Sequence, residues 1–87
     1  MAAADRIKKI ITDNLEGAEV QVFDPRNDGM HLEAIVVSSK FEGLSLLKQH
    51  RLVMNALKEH FNDASLHALH LKTYTPKQWQ KKETYAD

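Results

Sequence analysis

Two short runs with the period of a β-strand, separated by a turn-rich pentapeptide, constrain this chain more than any other feature. Ala18, Val20 and Val22 alternate with Glu19, Gln21 and Phe23, as in a strand buried on one face. Pro25 stops that run, and Pro25-Arg26-Asn27-Asp28-Gly29 is dense in turn formers. A second strand is expected from His31 to Val37, with the β-branched Ile35-Val36-Val37 as its strongest part. A connection this short most simply makes the two strands an antiparallel hairpin.

Helical periodicity surrounds the hairpin. Ile7, Ile10, Ile11 and Leu15 predict an amphipathic helix from Ala4 to Leu15, ended by Gly17. Ser38 to Ser45 reads as a polar connection containing Phe41-Glu42-Gly43, with or without a helical turn of its own. From Leu46 to Phe61, the positions Leu46, Leu47, Val53, Met54, Leu57 and Phe61 trace one face of a long helix. Ser45 is its expected N-cap and Asn62-Asp63 its exit. A third strand is expected from Leu66 to Tyr74, with His67, Leu69, Leu71 and Thr73 on one side and Ala68, His70 and Lys72 on the other. Thr75, Pro76 and Gln78 then stand where an N-cap, a first helical residue and a capping box belong, and Trp79 can pack that last helix onto the body. The order is αββαβα or αββααβα, an α+β protein.

Eighty-seven residues make one domain, residues 1–87, near the lower end of self-sufficient folding. The chain contains no cysteine, so no disulfide staples it and no thiolate serves as nucleophile or metal ligand. A zinc finger and a self-contained cysteine-ligated cluster are thereby excluded. Formal net charge is zero, which argues against a strongly basic nucleic-acid binder. The distribution is uneven: residues 1–37 carry 4 basic and 7 acidic side chains, residues 38–87 carry 8 and 5. The opening Met-Ala-Ala-Ala-Asp-Arg-Ile-Lys-Lys is too short and polar for a signal peptide, and no apolar run approaches membrane-spanning length. A soluble cytoplasmic protein is expected.

Val36-Val37-Ser38, Phe41-Glu42-Gly43, Leu47 followed by His50-Arg51, His67-Ala68-Leu69, and Leu71-Lys72-Thr73-Tyr74-Thr75-Pro76 with Trp79 together resemble the BolA family, over nearly the whole chain. The resemblance implies a fold similar to the class II KH domain, a three-stranded mixed sheet with helices packed on one face. True KH domains clamp RNA with a Gly-x-x-Gly loop; the glycines here, Gly17, Gly29 and Gly43, form no such pair. The resemblance also implies a monothiol glutaredoxin partner and a shared 2Fe–2S cluster. Its ligands on this side would be a histidine opening the third strand, matched by His67, and a His or Cys in the loop before the second, matched by His31.

Neutral imidazole is a competent iron ligand, and two on one iron give a Rieske-like site. A 2Fe–2S cluster needs four ligands. The remaining two must be thiolates, which this chain lacks, so a glutaredoxin cysteine and a glutathione thiol are the expected donors, and the isolated chain is expected to bind no cluster. From periodicity alone, His67 shares its strand face with Leu69 and Leu71 and reads equally well as a packed or strand-end histidine. His70 falls on the opposite face from His67, so the two do not chelate. His50 stands near the buried helix face, and His60 closes the helix, where the dipole favours a cation.

The competing reading is a DNA-binding transcriptional regulator, since the family has also been described in that role. Lys40, Lys48, Arg51, Lys72 and Lys77 are its basic candidates, giving salt-sensitive and mostly non-specific phosphate contacts. A second copy of the chain is a further partner left open. Nothing pairs a nucleophile with a base, and no phosphate loop or dinucleotide fingerprint is present, so an enzyme is not expected.

Overall fold

The hairpin expected from residues 18–37 lies at the centre of the structure, a computed structural model that describes residues 3–61 and 69–85. Its strands are β1 (Glu19–Phe23) and β2 (Leu32–Val37), antiparallel with Val20 opposite Val36 and Val22 opposite Ala34. On its other side β2 pairs in parallel with β3 (Leu69–Tyr74), Ala34 opposite Leu71 and Val36 opposite Thr73. This register puts Val20, Val22, Leu32, Ala34, Val36, Leu69, Leu71 and Thr73 on one face. Val20, Leu32, Ala34, Val36 and Thr73 are buried there. Glu19, Gln21, Glu33, His70 and Lys72 occupy the opposite face and are exposed. A slip of one residue would exchange the two sets, so burial locks the register.

The apolar face is covered by α1 (Ala3–Asn14) and α2 (Leu46–Lys58). Ile7 and Ile11 of α1, with Leu15 just beyond it, are buried against Val20, Leu32 and Val36. The Leu15 N–H donates to the Ile11 carbonyl (2.8 Å) and the Ala18 N–H to the Leu15 carbonyl (3.0 Å). Gly17 supplies the left-handed turn (φ 81°) that releases the chain into β1.

The buried line of α2 is Gln49, Val53 and Leu57, four residues apart. Leu46 and Leu47, expected on that face, are instead 61% and 59% exposed. Successive helical residues turn by about 100°, so Leu47 lies nearly opposite Gln49. Leu46 has the phase of Val53 but stands in the first turn, beyond the end of the buried line. The helix also stops at Lys58 rather than at Phe61: the His60 and Phe61 N–H groups both donate to the Leu57 carbonyl (3.0 Å each) and close it. Phe61 still packs against the core, with the Arg6 guanidinium 4.8 Å over its ring.

The stretch read as a polar connection contributes the largest fully buried side chain. A 3-10 turn (Ser39–Phe41), capped by the Ser38 hydroxyl accepting from the Lys40 N–H (3.1 Å), drives Phe41 into the core. Gln49 then ties connection, helix and sheet together. Its Nε2 donates to the Leu44 carbonyl (2.9 Å) and its Oε1 accepts from the Thr73 hydroxyl (2.7 Å). Both side chains are buried, so each needs the other.

The expected caps are present. The Ser45 hydroxyl accepts from the Lys48 N–H (3.3 Å) at the start of α2. The last helix, α3 (Pro76–Tyr85), opens with a complete capping box: the Gln78 N–H donates to Thr75 Oγ1 (3.2 Å) and the Thr75 N–H to Gln78 Oε1 (3.0 Å). Trp79 rests against Tyr74 at the end of β3, ring centroids 5.3 Å apart. Leu66, His67, Ala68 and the Asn62-Asp63 exit lie outside the described residues. Among those described, no helix is long and apolar enough to cross a membrane.

Thr73→Val preserves shape but strips Gln49 Oε1 of its buried donor. A loss of about 1–3 kcal/mol is expected, measured as a lowered urea midpoint at unchanged slope; an unshifted midpoint would show the bond to be dispensable.

Candidate metal-ligand loop

Between β1 and β2 the chain is held by two aspartates acting in succession. The Asp24 carboxylate accepts from the N–H groups of Asp28 (3.1 Å) and Gly29 (2.8 Å), while its carbonyl accepts from the Asn27 N–H (3.0 Å). Asp28 repeats the device one step on: its Oδ1 accepts from the N–H groups of Met30 (2.8 Å) and His31 (2.9 Å). Short acidic side chains bond readily to nearby backbone in this way, which is why such residues crowd turns. The loop takes left-handed conformations at Asn27 (φ 52°) and Gly29 (φ 67°), the residue types that tolerate them best.

This scaffold delivers His31 to the residue just before β2, rather than into the strand as expected. Its Nδ1 lies 2.7 Å from Asp28 Oδ2, and its side chain is 49% exposed. The backbone N–H of His31, then its ring, then the Met30 N–H stabilise the ionised form of Asp28 and hold its carboxyl well below the usual carboxylate range. An imidazole anchored at one nitrogen and open to solvent is suited to ligation. Met30 beside it is 67% exposed.

His67 lies outside the described residues. The strand that follows it is described, and Leu32 of β2 pairs with Leu69 of β3 in parallel, so the chain enters both strands at the same end of the sheet. Among the described residues, no group of three or more His, Asp or Glu side chains gathers into a metal site. His50 is half-buried, and His60 and His70 are exposed.

The basic candidates do not converge on one face. Lys40 sits in the 3-10 turn, Lys48 and Arg51 on the exposed side of α2, and Lys77 in the first turn of α3, all exposed. Lys72 projects from the sheet face turned away from α2. By its residue type Asp28 reads only as a turn former; an aspartate three residues before a histidine in a tight turn is the signal that marks it.

Comparison with known proteins places the fold in context. The family model described as BolA-like protein matches residues 9–78. BolA-like protein 2 of Mus musculus is 37% identical over 81 residues, covering 91% of this chain and 92% of the mouse protein. A BolA homologue from Coxiella burnetii superposes with a TM-score of 0.75 at 41% identity, covering 92% of this chain and 99% of that one. BolA1 from Arabidopsis thaliana gives 0.76 at 34% identity, covering 90% and 96%.

The bonds to Asp28 have a pH signature with a definite sign. A carboxyl depressed in the folded chain contributes order above its unfolded pKa, near 3.9, and loses it only as pH falls through the lower folded value. Titrated by NMR, Asp28 is expected to protonate below the usual carboxylate range, with the Met30 and His31 amide signals unmoved until it does. A midpoint in the ordinary aspartate range would contradict the loop geometry.

Proposed function

The chain belongs to the BolA-like protein family, and from that premise we propose that it binds a monothiol glutaredoxin and shares a 2Fe–2S cluster with it. The observation that carries this reading is an exposed, carboxylate-anchored imidazole, His31, in a chain without a single cysteine. The parallel register of β2 and β3 supports it further, because His31 stands one residue before Leu32 and His67 two residues before its partner Leu69. His31 and His67 would be the two ligands this chain contributes.

Two imidazoles complete half of the coordination that a 2Fe–2S centre requires. The other half has to be thiolate from a second molecule; a glutaredoxin cysteine and the thiol of glutathione are donors of the right chemistry. Bound in this way, the cluster would carry a higher reduction potential than an all-thiolate one, because neutral nitrogen replaces anionic sulfur. The role is then iron–sulfur trafficking or iron and redox regulation, with docking rather than catalysis as its chemistry.

DNA binding draws less support. Lys72 and the pair Lys48 and Arg51 face opposite sides of the molecule, so the basic side chains present no continuous track for phosphates. In a filter-binding titration at low salt, duplex DNA is expected to pass unretained; firm, salt-sensitive retention would restore the regulator reading.

The central test is anaerobic reconstitution with a monothiol glutaredoxin and glutathione. A coloured heterodimer is expected, and His31→Ala and His67→Ala should each alter its visible circular dichroism. Spectra identical to wild type in both variants would end the assignment.

A further inference from the structure

We infer that Asp28 is a positioning residue for His31: its carboxylate holds the imidazole proton on Nδ1 and thereby presents Nε2 as the metal-binding nitrogen. The inference rests on His31 being a ligand, but its structural half stands on the metal-free chain.

An ionised carboxylate has only acceptors to offer. With Asp28 Oδ2 at 2.7 Å from His31 Nδ1, the proton between them must belong to the ring. In the neutral imidazole, Nε2 is then bare, with its lone pair available to a metal. A histidine without such a partner favours the other tautomer, which leaves the proton on Nε2 and blocks that nitrogen. Asp28 therefore reverses an intrinsic preference at the one histidine of the described residues whose ring is hydrogen-bonded to a carboxylate.

The carboxylate is fixed well enough to do this. Its Oδ1 is occupied by the N–H groups of Met30 and His31, which leaves Oδ2 aimed at the ring. The backbone of Asp28 is in turn tied to Asp24, whose carboxylate also holds Gly29. No other protein group among the described residues bonds to the His31 ring, whose side chain is about half exposed. A carboxylate behind a metal-binding histidine is a recurrent way of orienting the ring and raising its basicity.

The decisive measurement is the tautomer of His31 in the metal-free full-length chain, read from its ring nitrogen-15 shifts at a pH where the ring is neutral and assigned by loss of the signals in His31→Gln. Wild type is expected to carry the proton on Nδ1. Asp28→Ala should move it to Nε2, and Asp28→Asn, which keeps an acceptor oxygen, should restore the wild-type form in part. A wild-type ring protonated on Nε2 overturns the inference without recourse to any variant. In the glutaredoxin heterodimer, Asp28→Ala should weaken cluster binding, about 10–100-fold being the usual loss of metal affinity when such a carboxylate is removed; unchanged retention would overturn the positioning role. Failure of the cluster assignment itself is separate, since it is read from His31→Ala and leaves the tautomer of the metal-free chain untouched.

Discussion

Because β2 and β3 run parallel, the chain between them has to return the length of the sheet, and most of what makes this fold follows from that return. A tight turn can join antiparallel strands, as it does between β1 and β2, but parallel neighbours need a crossover. Here the crossover contains the 3-10 turn and α2, and both do more than connect. Phe41 and the Val53–Leu57 side of the helix fill the space over the central strand, with Ile7, Ile11 and Leu15 of α1 alongside. Each such side chain, fully buried, contributes about 1.5–3 kcal/mol. Gln49 then fastens the crossover at its beginning, joining the Leu44 carbonyl to Thr73 on the strand that the crossover reaches.

The same topology explains where chemistry can be placed. Parallel strands begin at the same end of a sheet, so Leu32 and Leu69, which open β2 and β3, are neighbours in the fold although far apart in sequence. The β1–β2 loop arrives at that end already stiffened by Asp24 and Asp28, whose carboxylates satisfy four backbone N–H groups. An isolated surface pair of His and Asp contributes little to stability. The value of this one lies in orientation: a side chain in a loop acquires a defined direction without being buried. The directed imidazole, on a chain that has no thiolate, is what the proposed shared cluster would draw on.

Much of the fold was legible because short-range signals agreed with one another. The alternation of Val20 and Val22 with polar neighbours, the Ile7-Ile11-Leu15 spacing, and the Thr75-Pro76-Gln78 cap each correspond to an observed element. The failures have a common origin. Leu46 and Leu47 are as apolar as Val53 and Leu57, yet α2 exposes them, because the sheet decides which part of a helix is covered. Gln49 is polar and was not a core candidate, yet it is buried with its partners satisfied. Phe41 stands in a stretch that reads as a polar connection, and a single 3-10 turn sends it into the core.

The sequence by itself determined the hairpin, the kinds and order of the elements, and the absence of thiolate, since period, turn chemistry and composition are properties of neighbouring residues. It also singled out His31. Only the tertiary structure decided which sheet neighbour runs parallel, that Lys72 faces away from Lys48 and Arg51, and that Asp28 grips the His31 ring. Those are relations between side chains brought together by burial and backbone register, and a linear pattern of residue types does not encode them one position at a time.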